Sequence, residues 1–348
     1  MTERTRPEAR AAVYTRHGGS DVIEIVGRDS GDPGPGEVRV RIIRSGVNPT
    51  DWKARQGSGS GPGEPVEPAQ VPNQDGAGVV EAVGQGVDAA WRGVRVWIWE
   101  AAYGRPDGTA QEFAVVPASH VVALPDRASF DLGASLGVPF LTAHRCLTVA
   151  EFGPSRLGPG ALAGKTILVA GGAGAVGNAA IQLARWSDGT VITTVSGPEK
   201  AQLAARAGAD HLLNYREQDV EAEVRAIAPH GVDMVVEVAA SNAALDVALL
   251  AEHGTVACYA ATGDEQLQLP VRSLMAKNAR WQFVLVYGVT GRPKTHALED
   301  VAAAVLDGRV GVGQEHGVPL HHFTLEQTAQ AHDAVEQGAV GKVLIDVG

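Results

Sequence analysis

Cysteine is scarce in this chain, which has only Cys146 and Cys258 among its 348 residues. Two cysteines cannot form a disulfide framework, and without a second pair at ligand spacing they cannot form a thiolate zinc cage. A dense Lys/Arg block is absent as well, and the formal net charge is −11 at pH 7. An acidic chain of this kind is not expected to bind a nucleic-acid backbone.

Long apolar runs are also missing. No uninterrupted stretch of about twenty apolar residues is present, as a membrane helix would require. Residues 1–11 are polar and charged, which does not fit a signal peptide. We therefore expect a cytoplasmic protein without a membrane partner, and the length allows two domains with separate cores.

A glycine-rich segment follows the β-branched and apolar run Thr166–Ala170. Gly171, Gly174 and Gly177 are spaced three residues apart, and an amphipathic pattern that predicts a helix begins at Ala175. Strand, glycine turn and helix in this order allow close approach to a pyrophosphate at the helix N-terminus. The glycine pattern differs from the G-x-G-x-x-G motif. The alternative to a dinucleotide site is a glycine turn of another α/β protein.

The end of the next predicted strand indicates which dinucleotide binds. An NAD-specific site normally places Asp or Glu there to bond the ribose hydroxyls. Here Ser196 and Lys200 follow the strand, and a hydroxyl and a cation suit the 2′-phosphate of NADPH. Glu199, directly after Pro198, fits the first turn of the next helix and can point away. The alternative for Lys200 is a solvated cation on the surface of that helix that does not bind the 2′-phosphate.

The predicted elements change character along the chain. Residues 11–136 alternate short β-rich runs with turns, which is typical of an all-β, barrel-like domain. Strands then alternate with helices, which is typical of a dinucleotide fold. The six strand candidates are Thr166–Ala170, 191–195, His211–Asn214, 232–238, 255–259 and 281–287.

The remaining segments are predicted as helices, a strand and a loop. Helices are predicted at 295–307 and 325–337, and a last strand at 342–347 could return to the first domain. Residues 57–64 are predicted from their composition to form a flexible loop, either a solvent loop or a lid over a substrate cleft.

Several segments together resemble the medium-chain dehydrogenase/reductase superfamily, most closely its zeta-crystallin-like NADPH:quinone oxidoreductase group. They are SGVNPTD at 45–51, PNQDGAGVVEAVG at 72–84, GVPFLTAH at 137–144, the glycine turn, NYR at 214–216 and GAVGKV at 338–343. The resemblance implies an α/β fold in which a Rossmann NADPH-binding domain with a six-stranded parallel sheet is inserted into a GroES-like β-barrel catalytic domain. The boundaries are 138–288 for the Rossmann domain, and 1–137 with 289–348 for the catalytic domain.

The resemblance also shows which residues are missing. Zinc alcohol dehydrogenases of this superfamily have metal ligands at the positions that hold Asn48, Gln74 and Val138 here. These side chains offer neither thiolate nor imidazole, so no metal is expected. Without a metal to polarise an oxygen, the feasible reaction is hydride transfer from NADPH to an acceptor activated by conjugation.

The leading hypothesis is therefore a zinc-independent NADPH-dependent reductase of a quinone or related conjugated carbonyl. Two alternatives remain open. One is an enone/enal or enoyl-thioester reductase, and the other is a non-catalytic NADPH-binding or structural protein.

Site residues carried over from the resemblance form two groups. The catalytic candidates are Asn48, Asp51 and Lys53. The cofactor-binding candidates are Asn48, Thr142, Gly171, Gly174, Ala175, Val176, Gly177, Ser196, Lys200, Tyr215, Val284, Leu285, Val286 and Lys342.

Some of these candidates have simpler interpretations. Lys53 occupies the place where the group often has a tyrosine, and with Asp51 it could line the cleft, protonate an enolate or form a surface pair. Asn48 could be a turn residue, Thr142 a helix cap and Tyr215 a cover for a strand edge. The strand at 281–287 would lie at a sheet edge in such folds, which predicts a homodimer through that edge.

Overall fold

The computed structural model describes residues 9–57, 61–261 and 266–348. The chain divides into two compact units. The first comprises the residues up to Val138 together with Leu320–Gly348, and the second is Pro139–Pro319. Of the predicted loop at 57–64, residues 58–60 lie outside the described residues, as do residues 1–8 of the polar N-terminal segment.

The first unit is mainly β-structure. Its N-terminal part contains β1 (Ala9–Arg16), β2 (Glu24–Arg28), β3 (Glu37–Val47), α1 (Pro49–Gln56), β4 (Pro65–Gln70), β5 (Asp75–Val83), β6 (Arg95–Ile98), β7 (Phe113–Pro117), β8 (Val121–Ala123) and the start of α2 (Phe130–Leu147).

The second unit alternates strands and helices. Its elements are β9 (Thr166–Ala170), α3 (Ala175–Trp186), β10 (Thr190–Val195), α4 (Pro198–Ala207), β11 (His211–Asn214), α5 (Val220–Ile227), β12 (Val232–Glu237), α6 (Ala243–Leu249), β13 (Leu250–Cys258), α7 (Val271–Ala276), β14 (Arg280–Phe283) and α8 (Arg292–Leu306). The chain then adds β15 (Leu320–Thr324), α9 (Thr328–Glu336) and β16 (Lys342–Asp346) to the first unit.

The long strand β3 organises the first unit. It pairs antiparallel with β5 and β7, and with β16 from Val343 opposite Val47 to Asp346 opposite Arg44. Val38, Val40 and Ile42 alternate along β3 and are fully buried in the core of this unit. The prediction that the last strand returns to the first domain is confirmed.

The second unit contains one parallel sheet in the order β11-β10-β9-β12-β13-β14. Its strands are short apolar runs, as expected when helices cover both faces of a sheet. The strand order reverses between β9 and β12, and in open α/β sheets ligands bind at the carboxyl ends of the strands at such a point. The predicted Rossmann sheet is confirmed.

The structure corrects one domain boundary. Residues 289–319, which the sequence predicted in the catalytic domain, belong to the second unit. The reason is visible in α8, where the buried Asp300 accepts hydrogen bonds from Arg156 Nε at 2.7 Å and from the Leu157 backbone N–H at 2.7 Å. These bonds tie α8 to a loop of the second unit.

The structure also corrects several element boundaries: β13 begins at Leu250 rather than at residue 255, and α8 begins at Arg292 rather than at residue 295. The strand predicted at 281–287 is shorter, because β14 ends at Phe283 and a 3₁₀ turn, Val286–Gly288, follows. The helix predicted at 325–337 begins at Thr328, after the 3₁₀ turn Leu325–Gln327. β14 lies at the edge of the sheet, as predicted. Within the described ranges, no helix is both long and apolar enough to cross a membrane.

Truncating a buried leucine of the second unit should be strongly destabilising. Leu168 lies in the central strand β9 and is 2% exposed. We expect Leu168→Ala to lower the free energy of unfolding by about 3 kcal/mol, because a cavity remains in the core. The matched control is Leu306→Ala, at a leucine that is 55% exposed, with an expected change within about 0.5 kcal/mol. Urea denaturation measures both, and equal losses would contradict the assigned core.

Candidate active site

The glycine turn between β9 and α3 has the geometry of an anion-binding loop. Gly171 has a φ of +68°, in the left-handed region that favours glycine. A Cβ on Gly177 would lie 2.4 Å from the Gly171 carbonyl oxygen, so only glycine fits there. Helix α3 begins at Ala175, and the first N–H groups of a helix, including those of Ala175 and Val176, have no partner within the helix. The turn therefore offers donors at the carboxyl edge of the sheet.

A hydroxyl and an ammonium group stand at the end of β10. Ser196 follows the strand directly, and Lys200 lies in the first turns of α4. Neither side chain has a hydrogen-bond or ion-pair partner in the described part of the chain. Glu199 is exposed in the first turn of α4, as expected.

Tyr215 lies beside this pair of residues. Its backbone N–H donates to the Val195 carbonyl oxygen at 3.1 Å, and its side chain is 53% exposed. The ring is therefore open to solvent rather than buried under the strand edge.

A cavity of about 380 Å³ lies near the carboxyl ends of β13 and β14. It is lined by Ala240, Cys258, Tyr259, Ala260, Ala261, Leu267, Phe283, Val284 and Leu285. Of the predicted cofactor residues, Val284 and Leu285 line this space. Val286, which directly follows Leu285 in the sequence, is buried. Its carbonyl oxygen accepts a hydrogen bond from Lys294 Nζ at 2.8 Å.

Thr142 is a buried residue inside α2. It lies well within the helix, so the simpler interpretation as a helix cap does not apply. The described structure shows no hydrogen bond from its hydroxyl group.

The first unit contains a buried polar cluster, which we call the lysine cluster: Asn48, Asp75 and Lys342. Lys342 Nζ donates to Asn48 Oδ1 at 2.7 Å and lies 3.4 Å from Asp75 Oδ2. Asn48 Nδ2 donates to the same Asp75 oxygen at 2.8 Å. The three side chains are 3%, 0% and 2% exposed, so water hardly screens their charges.

Backbone groups complete the environment of Asp75. The Val138 N–H donates to both carboxylate oxygens, at 2.9 Å and 3.1 Å. A Cβ on Gly137 would lie 2.1 Å from Asp75 Oδ1, so glycine is required for α2 to approach this carboxylate. The charge on Asp75 is thus met by an ammonium group, an amide and a backbone donor, which is how a buried charge is tolerated.

Asp51 is a second buried carboxyl group next to the lysine cluster. Its oxygens accept hydrogen bonds from the backbone N–H groups of Asn48 at 2.7 Å and Gln74 at 3.2 Å. The first of these bonds links the start of α1 to its first turn, which is the position where an acid stabilises a helix.

Two carboxyl groups and one cation are therefore buried together. Burial and the neighbouring Asp75 charge raise the pKa of Asp51 to about 7. Burial also raises the pKa of Asp75 and lowers that of Lys342. Because Lys342 directly bonds the Asn48–Asp75 pair, we assign the ionised pair to Lys342 and Asp75 and the protonation near neutral pH to Asp51.

Lys53 has a different environment from its predicted partner Asp51. It is exposed on α1, with Nζ 5.7 Å from the centre of the Trp52 ring, whereas Asp51 is buried. Residues two positions apart on a helix do not face each other, which explains the difference. The structure brings Asn48, Asp51 and Lys342 together and leaves Lys53 outside the lysine cluster.

Asp75 is the site residue that sequence reasoning missed. It lies within the segment 72–84 that supported the family resemblance, but no role was assigned to it. The available signal was a carboxylate directly before the small and apolar residues 76–80 of the strand, where a buried charge needs a partner.

The positions of the absent zinc ligands are occupied by other interactions. Asn48 is bonded to Lys342 and Asp75, and Gln74 Oε1 accepts a hydrogen bond from the Ala102 N–H at 3.1 Å. The ammonium group of Lys342 would repel a cation bound at Asn48. The ranges that the structure describes contain no group of three or more His, Cys, Asp or Glu side chains that could hold a metal ion.

Known proteins share both the fold and the sequence pattern. Residues 34–126 match the family described as alcohol dehydrogenase GroES-like domain, and residues 175–304 match the family described as zinc-binding dehydrogenase. A quinone oxidoreductase from Lama guanicoe is 31% identical over 342 residues, covering 97% of this chain and 97% of that relative.

Two solved structures share the fold of this chain over nearly its whole length. An NAD-dependent alcohol dehydrogenase superposes with a TM-score of 0.83 at 27% identity, covering 97% of this chain and 100% of the other. A mycobacterial protein complexed with NADPH superposes with a TM-score of 0.78 at 29% identity, with the same coverage. A GroES-like unit and a dinucleotide-binding unit of this kind define a medium-chain dehydrogenase/reductase. The chain belongs to the quinone oxidoreductase group of that superfamily.

Replacing Asp51 by asparagine should change how stability depends on pH. The pKa of Asp51 is raised in the folded chain from 3.8 to about 7, so the folded state binds the proton more tightly than the unfolded state. Its contribution to stability is therefore fully present below about pH 4 and is lost as the pH rises toward 7. Relative to Asp51→Asn, the unmodified protein should lose on the order of 3 kcal/mol over that interval.

Urea denaturation of both proteins from pH 4 to pH 8 measures this difference. Asp126→Asn is the control, because the Asp126 side chain is fully exposed. Parallel pH profiles for the unmodified protein and Asp51→Asn would show that Asp51 does not take up the proton.

Proposed function

We propose that this chain is a zinc-independent oxidoreductase that reduces a quinone or related conjugated carbonyl with NADPH. The lysine cluster is the observation that carries this proposal. Where alcohol dehydrogenases of the superfamily hold a metal, this chain has an amide bonded to a buried ammonium group. The similarity to quinone oxidoreductases favours this activity over the enone, enoyl-thioester and non-catalytic alternatives.

The donor site belongs to the second unit. The N–H groups of Ala175 and Val176 would hold the pyrophosphate, and Ser196, Lys200 and Tyr215 would surround the 2′-phosphate. Glu199 is exposed in the first turn of α4, where an acid is favoured by the helix dipole. The mycobacterial structure at 29% identity was solved with NADPH, which supports the same cofactor here. Thr142, Val284, Leu285 and Val286 are proposed for the nicotinamide half.

NADPH, when bound, supplies a hydride, and the overall reaction converts quinone, NADPH and a proton into hydroquinone and NADP⁺. We assign the lysine cluster of the first unit to the acceptor. An ammonium group has three N–H donors, and Lys342 directs two of them at Asn48 and Asp75. We propose that the third stabilises negative charge that develops on the acceptor oxygen. Asn48 fixes the position of Lys342, and Asp51 supplies a proton-binding group beside it.

Removing the charge of Lys342 tests this assignment. We expect Lys342→Gln to lower kcat/KM for a 1,4-benzoquinone roughly a hundredfold, because a preorganised cation is lost. Steady-state rates with NADPH and with NADH, followed by absorbance, provide the measurement. NADPH should be the better donor in the unmodified protein.

Two further variants make the result interpretable. Lys53→Gln replaces the exposed lysine of α1 and should retain the rate. Asp75→Asn/Lys342→Gln removes both buried charges together, so it avoids an uncompensated carboxylate. Full activity in the double variant, or no NADPH-dependent quinone reduction by the unmodified protein, would refute the proposal.

The proposal includes a homodimer formed through the edge of the sheet in the second unit. Phe283 at the end of β14 and Leu285 just after it are 60% and 63% exposed, and Val271 and Met275 of α7 are 66% and 71% exposed. Exposed apolar side chains beside an edge strand of this kind favour pairing with a second copy. A cytoplasmic location stays a prediction.

Sedimentation analysis tests the dimer. We expect Phe283→Glu to shift the mass from two chains to one, because a charge would be buried in the interface. Phe152→Glu is the matched control, at another exposed phenylalanine of the same unit that is 68% exposed. A mass equal to one chain for the unmodified protein would contradict the dimer.

A further inference from the structure

Two buried carboxyl groups meet at the carboxyl end of β12. Glu237 is the last residue of this strand, and Asp246 lies in the following helix α6. Each residue is 1% exposed, and the two carboxyl groups lie close enough that each shifts the pKa of the other, which places them within reach of a hydrogen bond between them. Ionised carboxylates only accept hydrogen bonds, so this contact requires a proton on one of them.

The other contacts show which group carries the proton. Glu237 Oε1 accepts hydrogen bonds from the Ala239 N–H at 2.6 Å and from Asn242 Nδ2 at 3.1 Å. These donors stabilise the ionised form of Glu237. By contrast, Asp246 Oδ2 is buried and has no donor among the residues that the structure describes. A carboxyl group with its own proton needs no such donor.

We propose that Asp246 is a neutral acid whose hydrogen bond to Glu237 holds the turn Ala240–Asn242 in place, so that Asp246 is a positioning residue for dinucleotide binding. This assignment rests on the proposed function, since it concerns the same cofactor edge of the second unit.

Both the turn and Val238, which lies between the turn and the end of β12, are placed at that edge. A Cβ on Gly171 would lie 3.3 Å from Val238 Cγ1, so Val238 lies against the glycine turn. Ala240 lines the 380 Å³ cavity. The Tyr259 N–H donates to the Glu237 carbonyl oxygen at 3.1 Å, which fixes the end of β13 next to the same residue. Repulsion between two ionised carboxylates would therefore displace groups on both sides of the cofactor edge.

Asp246 should lose its proton to solution in the alkaline pH range, which would leave both Glu237 and Asp246 ionised. Burial and the Glu237 charge raise the pKa of Asp246 to about 9. Burial raises the pKa of Tyr259 beyond the accessible range, so its phenol stays neutral. Of the basic groups at the end of α6, Lys277 Nζ donates to the carbonyl oxygens of Val247, Ala248 and Leu250, and Arg225 donates to that of Ala248. Burial lowers the pKa of Lys277, so it too can titrate on the alkaline side.

The sign of the effect follows from the raised pKa of Asp246. The folded state holds the proton more tightly than the unfolded state, so stability falls as the pH rises toward 9 and levels off above it. If the ionised pair displaces the turn, NADPH affinity falls over the same upper range.

The test compares Asp246→Asn with the unmodified full chain. Asparagine keeps a donor for Glu237 but cannot ionise. For the unmodified protein we expect the NADPH dissociation constant to rise roughly fivefold or more between pH 7 and pH 10. Asp246→Asn should bind NADPH at pH 7 and lose this rise. Asp246→Leu, which has no donor, should bind NADPH more weakly at pH 7. Lys277→Gln is the control for the other alkaline group and should retain the rise.

A second measurement does not depend on NADPH. The infrared C=O stretching band of a buried protonated carboxyl group should be present at pH 7, disappear above pH 9 and be weaker in Asp246→Asn. An unchanged band in Asp246→Asn, or the same alkaline loss of NADPH affinity in both proteins, would overturn the assignment. If the unmodified protein binds no NADPH, the proposed function fails, and the band still decides whether Asp246 carries the proton.

Discussion

A buried ion pair, Lys342 with Asp75, is the interaction on which the first unit depends. Asp75 begins β5, and Lys342 begins β16, the last strand of the chain. Their contact requires that β16 pairs with β3 beside Val47. Neither charge could remain buried without the other, because an uncompensated charge inside a protein is strongly destabilising. The same pair fixes the Asn48 amide, so the stability of this unit and the geometry of its candidate site have one origin.

The second unit handles buried charge in another way. In the lysine cluster, a cation compensates the charge of the Asp75 carboxylate. In the second unit, a proton on Asp246 leaves only one charge on the Glu237–Asp246 pair. The Lys342–Asp75 pair needs no proton between two carboxyl groups, whereas a proton held between Glu237 and Asp246 is released when the pH is high enough. The two units therefore differ in how pH should act on them: Asp51 beside the lysine cluster responds near neutral pH, and Asp246 responds in the alkaline range.

Similarity of fold does not by itself define the chemistry of this chain. Part of the chain matches a family described as zinc-binding dehydrogenase, and the chain superposes on an NAD-dependent alcohol dehydrogenase with a TM-score of 0.83. The side chains at the metal positions differ, however, and function follows the site rather than the fold. Asn48, Gln74 and Val138 offer no thiolate or imidazole, and the buried ammonium group of Lys342 opposes a second cation.

Much of the fold could be predicted from the sequence because its signals are local. The six strands of the parallel sheet, the glycine turn and the start of α4 at Pro198 depend on neighbouring residues, and all were located from the sequence, although the ends of β13 and β14 were not. The domain assignment of 289–319 was wrong, because it depends on where Asp300 finds its partners. Strands β1, β2, β4 and β15 were not predicted. β2, β4 and β15 are mostly exposed or half-buried, and β1 has four consecutive buried residues instead of an alternating pattern, so none gives a clear two-residue period.

The candidate site likewise has some features that local sequence predicts and others that depend on distant segments. By itself the sequence determined the glycine turn and indicated the candidate residues for the 2′-phosphate, because each depends on residue types within a short segment; the expectation of no zinc ligand came from the family resemblance. Only the tertiary structure decided that Asp51 is buried and Lys53 exposed, and that Asp75 meets Lys342 from 267 positions away. Burial and charge pairing determine protonation and reactivity, and both are set by which distant segments pack together.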